Sequence, residues 1–389
     1  MNKNINKSII LVIIVFVTVS FTGCLNLASK IENEQEQISV NGHQGVFKSI
    51  DRGKTWEQKV DVIGGGFIDG IKIQNIKMDP QDHEILYIGT IANGLYRSLD
   101  GAQSWEKVVD ENGILSPGAT IYDIAIEKGN SDLMYIATLN NGRGELLKSE
   151  DGGKSWIDPY LISELNKPVY TVEIDPKNQN IVYIGTGQAG FLKSEDKALR
   201  WKTVTWFDHG ISVNDIIIDF WNSDGIILRL SSGLVKSTDR GKTWDDLGME
   251  VITSVPGINV AAISSITMHP TNPLIIYITY LNIVIVSHDG GSTWEKLNTI
   301  TPSKTIIGTI PQIKKIGLIG GIVYYGAGNV LYKSEDAGLT WSSYAIPIRG
   351  DIRYTVSDYT NPDIIYVGSF YDPPPPPKKK GLFGLLTIK

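Results

Sequence analysis

One eight-residue motif recurs seven times along this chain and constrains its fold more than any other feature. The pattern is Ser-x-Asp-x-Gly-x-Thr-Trp, as in the segment from Ser49 to Trp56. Successive motif aspartates lie 49, 51, 45, 43, 50 and 47 residues apart. A period of about 40 to 50 residues is typical of propeller blades, each built from four short strands. The motif aspartates are Asp51, Asp100, Asp151, Asp196, Asp239, Asp289 and Asp336, and the motif tryptophans are Trp56, Trp105, Trp156, Trp201, Trp244, Trp294 and Trp341.

Each repeat reads as four strands around this motif. In the repeat that leads to the fourth copy of the motif, 169–176 alternates apolar and polar residues and ends at Asp-Pro, and 180–186 forms a second strand. A third strand over 190–194 leads into the motif as a turn, and 201–204 is the fourth strand. The same order appears over 73–108, 121–156, 213–247, 263–297 and 310–344. The sequence therefore predicts six complete blades.

The two ends of the repeat region supply complementary half blades. Residues 45–56 have the third strand, the motif and the fourth strand, and 352–370 has the first and second strands. Pairing them would close the ring and remove the exposed edges of an open sheet. We therefore predict an all-β fold over 44–370, a single seven-bladed β-propeller of four-stranded antiparallel blades. We also expect a monomer.

The motif residues are those that a tight turn requires. Asp accepts hydrogen bonds from turn amides, Gly takes positive φ, and Ser or Thr bonds locally. The tryptophan ring is expected to be buried between neighbouring turns or blades. The fourth copy, 194–201, lacks both the glycine and the threonine, so we predict the loosest turn there. An alternative role for the aspartates is ligand or metal binding, but we interpret all seven as structural.

This motif is similar to the Asp-box, or BNR, repeat of sialidases, sortilins, xyloglucanases and photosystem II assembly factors. The resemblance covers residues 44–370 and implies that the boxes lie on the face opposite the usual ligand site. A single propeller of this kind with an export signal resembles the photosystem II assembly and stability factor family. That resemblance implies the architecture and leaves the client protein open.

Residues 1–23 have the composition of a lipoprotein-type signal peptide. A positively charged start is followed by an apolar run over 8–21 and a small-residue end. The segment 21–24, Phe-Thr-Gly-Cys, resembles the bacterial lipobox, with Phe in place of the usual Leu. The resemblance implies a lipid on Cys24 and anchoring at an extracytoplasmic membrane face. The alternative is an uncleaved anchor, although the apolar run is short of the roughly 20 residues that span a bilayer.

The composition excludes several classes of function. Cys24 is the only cysteine, so a mature chain has no disulfide and no cysteine-based zinc or catalytic site. The formal net charge of −6 argues against a nucleic-acid partner. Residues 24–43 read as an acidic flexible tether, and 371–389 as a Pro- and Lys-rich tail that is either disordered or membrane-contacting. No metal or cofactor is expected.

The face away from the boxes carries the candidate binding residues. The starts of the inner strands should line its central channel. Repeat alignment places Asn75, Asp123, Thr171, Asp215, Ser265, a residue near Gln312, and Thr355 in a ring, with Gln74, Tyr122, Tyr170, Asn214, Ser264 and Tyr354 one step earlier. The candidate binding residues are Asp123, Asp215, Tyr122, Tyr170, Arg353 and Tyr354, together with the adjacent aromatic pair Trp206 and Phe207, predicted in a loop.

The residue inventory favours binding over catalysis. A sialidase needs three converging arginines, but of the eight arginines only Arg349 and Arg353 are expected near the channel mouth. The five histidines are scattered. We therefore predict a non-catalytic platform for a protein or glycan ligand. The alternative is a sialidase- or xyloglucanase-like glycoside hydrolase that uses Asp123 and Asp215 across the channel.

Overall fold

The computed structural model describes residues 44–298, 313–319, 321–348 and 350–370. Within these ranges the chain forms 27 strands in seven antiparallel sheets. The inner strand of each sheet contacts the inner strand of the next, and the last contacts the first. The predicted fold, a seven-bladed β-propeller, is confirmed. The predicted signal peptide, Cys24, the tether and the tail lie outside the described residues.

The blades follow one another in chain order, with the strands of each blade running from the channel outward. Blade 1 contains β3 (Ile73–Met78), β4 (Leu86–Thr90), β5 (Leu95–Ser98) and β6 (Glu106–Lys107). Blade 2 contains β7 (Thr120–Glu127), β8 (Asn130–Asn140), β9 (Arg143–Ser149) and β10 (Ile157–Leu165). Blade 3 contains β11 (Val169–Ile174), β12 (Val182–Thr186), β13 (Gly190–Ser194) and β14 (Lys202–Trp206). Blade 4 contains β15 (Val213–Ile218), β16 (Ile226–Leu230) and β17 (Gly233–Ser237). Blade 5 contains β18 (Ile263–His269), β19 (Asn272–Tyr280), β20 (Ile283–Ser287) and β21 (Glu295–Lys296). Blade 6 contains β22 (Ile313–Ile319), β23 (Ile322–Ala327), β24 (Val330–Ser334) and β25 (Ser342–Ala345).

Blade 7 closes the ring with strands from both ends of the repeat region. It contains β26 (Asp351–Ser357), β27 (Ile365–Phe370), β1 (Gly45–Ser49) and β2 (Glu57–Lys59), paired in that order. In the closing pair, Gly45 lies opposite Ser369 and Phe47 opposite Val367. Both Phe47 and Val367 are buried, so the seam is packed as a continuous core. The predicted pairing of the two half blades is confirmed.

Blade 4 departs from the four-stranded pattern. Its sheet has three strands, and the place of a fourth is taken by one isolated bridge between Lys236 and Asp245. The next residue, Asp246, caps helix α1 (Leu247–Ser254) by accepting a hydrogen bond from the Met249 amide. Leu247 of this helix is buried against the core shared with blade 5. The helix, followed by a 3₁₀ turn at Val260–Ala262, replaces the fourth strand predicted for this blade.

Each box is a tight turn in which the aspartate carboxylate accepts hydrogen bonds from residues of the same motif. In the box of blade 7, the Ser49 hydroxyl donates to Asp51 at 2.8 Å and accepts the Gly53 amide at 2.8 Å. The amide and hydroxyl of Thr55 donate to the two oxygens of Asp51 at 2.8 and 2.7 Å. These bonds from Thr55 lower the pKa of Asp51 to about 2.

The fourth motif copy keeps the same hydrogen bonds despite its divergent sequence. Ala198 takes the glycine position at φ 70° and donates its amide to the Ser194 hydroxyl at 2.9 Å. The Arg200 amide donates to Asp196 at 2.8 Å, and its side-chain Nε replaces the threonine hydroxyl at 2.8 Å. A looser turn is therefore not seen in the hydrogen bonding of this box.

The box tryptophans pack at the joints between blades. Trp105, Trp156 and Trp294 are buried and the other four are half-buried. The indole of Trp105 in blade 1 donates to the Lys59 carbonyl of blade 7 at 2.9 Å, which ties the two blades of the seam together. The location of these rings agrees with a structural role for the motif.

Candidate functional site

A polar cavity of about 330 Å³ occupies the channel where the inner strands begin. Each inner strand runs from this end toward the turns at the box end, because the boxes follow the ends of the third strands. The cavity therefore opens on the face opposite the boxes. Its walls are formed by Gln74, Asn75, Tyr122, Asp123, Tyr170, Thr171, Ser212, Asn214, Asp215, Arg229, Ser264, Ser265 and Tyr354.

A β-bulge at the start of the inner strand turns two consecutive residues toward this cavity in blades 1 to 5. In blade 1 the register shifts between Ile73 and Asn75, and in blade 2 between Ile121 and Asp123. The same shift occurs at the start of the inner strand in the other five blades. A bulge places two residues opposite one on the partner strand, which interrupts the alternation of faces. Pairs such as Gln74 and Asn75 can therefore both line the channel.

The register of blade 7 corrects the predicted ring at one position. Tyr354 lies opposite Gly368, the relation that Asn75 has to Gly89 in blade 1. Tyr354 thus takes the ring position that we predicted for Thr355, and Arg353 is the bulge residue. Thr355 is buried and is not part of the cavity wall. The predicted ring residue of blade 7 was one position too late, because the alternation of apolar and polar residues does not reveal where a bulge lies.

Asp123 connects three blades through its carboxylate. One oxygen accepts the Asn75 side-chain amide at 3.0 Å and the Ile124 amide at 2.9 Å. The other oxygen accepts the Thr171 hydroxyl at 3.0 Å and the Val172 amide at 3.2 Å. Four donors thus occupy the two oxygens. This arrangement holds blades 1, 2 and 3 in register at the channel.

Asp215 lies beside an arginine that the sequence analysis did not place here. The Arg229 guanidinium reaches within 3.9 Å of the Asp215 carboxylate and donates to the Asn214 carbonyl at 3.3 Å. Arg229 comes from the second strand of blade 4, opposite Asp215 in the pairing of β15 and β16. The equivalent position is small in four other blades, where it is Gly89, Ala137, Gly185 and Gly368. An arginine at a position that is Gly or Ala in four other blades, and Thr279 in blade 5, was the signal available in the sequence.

Three tyrosines give the cavity an aromatic side. The rings of Tyr122 and Tyr170 meet edge to face at 5.0 Å between centroids. Burial raises the pKa of Tyr354, and the neighbouring carboxylates of Asp123 and Asp215 raise it further. The Tyr354 phenol is therefore neutral at physiological pH and able to donate a hydrogen bond.

Trp206 and Phe207 do not form the exposed loop patch that we predicted. Trp206 is the last residue of strand β14 and is 54% exposed. Phe207 turns inward and packs against Trp244, with 6.2 Å between the centroids of the two rings. The two side chains point to opposite sides because the alternation of side-chain direction along β14 continues from Trp206 to Phe207. Trp206 alone remains accessible, at the outer edge of the cavity face.

Other features of the described ranges bear on metal and membrane binding. There, no group of three or more His, Cys, Asp or Glu side chains has an arrangement that could hold a metal ion. Among the helices described, none has the length and apolar character needed to cross a membrane. Arg349 and Gln312, both named in the sequence analysis, lie outside the described residues.

Comparison with known sequences gives short matches to xyloglucanases. A segment of 80 residues, 20% of this chain, is 38% identical to the xyloglucanase Xgh74A of Acetivibrio thermocellus and covers 9% of that enzyme. A 79-residue segment is 34% identical to a probable oligoxyloglucan-reducing end-specific xyloglucanase of Neosartorya fischeri and covers 10% of it. No protein-family model matches the chain.

Solved structures share the fold over most of the chain. The GH74 xyloglucanase of Xanthomonas campestris superimposes with a TM-score of 0.60 at 13% identity, over 84% of this chain and 52% of the enzyme. YCF48 from Cyanidioschyzon merolae superimposes with a TM-score of 0.56 at 14% identity, over 77% of this chain and 95% of YCF48. This chain thus spans about half of the xyloglucanase and nearly all of YCF48. At these identities the likeness shows the fold.

Proposed function

We propose that this protein is an exported, membrane-anchored propeller that binds a protein or glycan ligand at its channel mouth without transforming it. The observation that carries the proposal is the state of the two channel carboxylates. Asp123 is occupied by four hydrogen-bond donors, and Asp215 lies beside Arg229. A glycosidase needs one carboxyl that protonates the leaving group and a second that attacks the sugar or activates water. These contacts engage both carboxylates with neighbouring groups of the protein, which supports a structural role for them over a catalytic one.

The remaining chemistry of the cavity suits recognition. Amide, hydroxyl and phenol groups from six blades line one polar space, and Tyr122 and Tyr170 add an aromatic edge. A few converging polar groups with aromatic surface are typical of ligand sites. YCF48, whose fold this chain shares, has been solved bound to D1 peptide, which shows that a propeller of this kind can serve as a peptide platform.

Ligand capture by the full chain tests the channel site. Photo-crosslinking and glycan-array binding would be compared for the native chain, Tyr122→Ala and a matched control, Tyr359→Ala. Tyr359 is 48% exposed and lies beside a turn on the box face. We expect Tyr122→Ala to lose captured ligand and Tyr359→Ala to retain it. Equal capture by both variants would exclude the channel mouth as the site.

Glycoside hydrolysis is the second candidate function, and the segment that is 38% identical to a xyloglucanase favours it. Incubation with xyloglucan and other polysaccharides, followed by assay of new reducing ends, tests it directly. Asp215→Asn and Asp123→Asn serve as the controls for channel-dependent turnover. We expect no turnover by the native chain. Turnover that is lost in Asp215→Asn would replace the binding proposal with a hydrolase.

Membrane anchoring is tested separately, through Cys24. Export followed by lipidation predicts that the native chain sediments with membranes and that Cys24→Ala is released into the exported soluble fraction. Retention of Cys24→Ala on the membrane would instead support a transmembrane signal anchor.

A further inference from the structure

An apolar hairpin protrudes at the seam between blades 7 and 1. It spans residues 61–67, closed by a bridge between Asp61 and Phe67 and by a hydrogen bond from the Val62 amide to the Gly66 carbonyl at 3.1 Å. Three glycines, 64–66, form its tip at positive φ and have no neighbours around their Cβ positions. Ile63 and Phe67, on either side of the tip, are 63% and 64% exposed.

The base of this hairpin is firmly held, in contrast to its exposed tip. The Ile63 amide donates to the Trp105 carbonyl at 2.8 Å, and the Ile68 amide donates to the Val60 carbonyl at 2.9 Å. Ile68 is fully buried in the core of blade 1. The fold thus presents two large apolar side chains to solvent on a rigid base. Exposed apolar groups presented in this way mark interaction surfaces.

Both ends of the propeller leave the fold at the same corner. A Cβ on Gly45, where β1 begins, would touch Val60 and the carbonyl oxygen of Ile68 at the hairpin base. The Ser369 hydroxyl at the end of β27 donates to the Gly45 carbonyl at 3.3 Å. The chain before this corner contains the apolar run 8–21 and Cys24. The chain after it contains three lysines at 378–380 and the apolar segment 381–386.

We propose that the apolar hairpin inserts into a lipid bilayer and sets the orientation of the propeller on the membrane. This inference rests on the proposed anchoring through Cys24. The chain leaves the propeller toward Cys24 and toward the Lys-rich tail beside the hairpin that exposes Ile63 and Phe67, so a bilayer is the single partner that suits all three. Apolar side chains of interfacial elements lie about 5 to 10 Å deep, at the boundary between headgroups and acyl chains. The exposed carboxylates of Asp61 and Asp69 at the base limit insertion to the tip.

A single-cysteine fluorescence experiment tests the insertion. Because Cys24 is the only cysteine, a lipidated full chain has no free thiol, and one new cysteine can be labelled selectively with an environment-sensitive dye. The test sites are Ile63→Cys and Phe67→Cys. The matched control is Leu199→Cys, an apolar residue that is 70% exposed on the box of blade 3. Labelled proteins would be reconstituted into phosphatidylcholine vesicles with and without phosphatidylglycerol.

We expect a blue shift at positions 63 and 67, with quenching by spin-labelled acyl chains, and neither effect at 199. Protein that sediments with the vesicles but shows no difference between these positions would overturn the insertion and leave the anchor intact. A chain that fails to sediment with the vesicles would overturn the insertion together with the anchoring proposal. A shift that appears without lipid and grows with protein concentration would identify self-association at the hairpin and would also overturn it.

Discussion

Replacing Gly185 by alanine should destabilise the propeller through one contact between blades. Gly185 lies on β12, and a Cβ built there would be 2.7 Å from Thr171 Cγ2, from Val213 Cγ1 and from the Val213 carbonyl oxygen. Ordinary van der Waals contacts lie at 3.4–4 Å. The Val213 oxygen belongs to the backbone of β15, so the inner strand of blade 4 must move away from blade 3. Overpacking of this kind costs about 1 to 3 kcal/mol.

Equilibrium unfolding in urea measures this cost, with Gly70→Ala as the matched control. A Cβ on Gly70 meets no atom within 4 Å, so that variant should be unchanged or more stable by about 0.4 to 1 kcal/mol. For Gly185→Ala we expect a lower midpoint at an unchanged slope, which indicates lost stability without a change in compactness. Ala137 fills the equivalent position of blade 2 while fully buried, so alanine fits where the neighbouring blade is built for it. A midpoint for Gly185→Ala equal to that of the native chain would refute the argument that this glycine sets the distance between blades 3 and 4.

Three further predictions concern the boxes. Trp105→Ala should cost about 3 to 5 kcal/mol, because the ring is fully buried at the seam, whereas Trp221→Ala, at a ring that is 62% exposed, should change stability by less than about 1 kcal/mol in the same unfolding assay. Hydrogen bonds from Thr293 lower the pKa of Asp289 to about 2 from an ordinary 3.8, so its stabilising effect is present above pH 4 and is lost as the pH falls through 2. Thermal melts between pH 7 and 2 should show this loss for the native chain and a smaller loss for Asp289→Asn; parallel curves would contradict it. Arg200→Ala removes the side-chain bond to Asp196 and should lower the melting temperature more than Lys202→Ala, a neighbouring exposed cation whose ion pair is with Glu195.

The repeat sequence was sufficient to predict the blades and their closure. Boxes at intervals of 43 to 51 residues mark the same turn in each blade, and this turn is formed by residues within eight positions of one another. Two half blades remained at the ends of the repeat region. That these halves pair followed because an antiparallel blade has only one place for each half, and the structure gives the register, with Gly45 opposite Ser369. These features are local or follow from counting, so they can be read without coordinates.

The chemistry of the channel depends on contacts between blades. Asp123 was a candidate acid in the sequence, but Asn75 and Thr171, each 48 residues away, occupy its oxygens together with two backbone amides. Arg229 reaches the channel from a second strand, and Tyr354 enters the ring because a bulge shifts the register of β26. A helix replaces the fourth strand of blade 4 once Asp246 caps it.

The sequence by itself thus determined the number of blades and the closing strands, and it predicted a structural role for the boxes. Only the tertiary structure decided which channel carboxylates are occupied, which side chains reach the cavity, and that the apolar hairpin lies beside both ends of the propeller. The physical reason is the range of the interactions. Hydrogen bonds within a box and the alternation of a strand are properties of adjacent residues, whereas the donors around Asp123 come from three blades that the ring brings together.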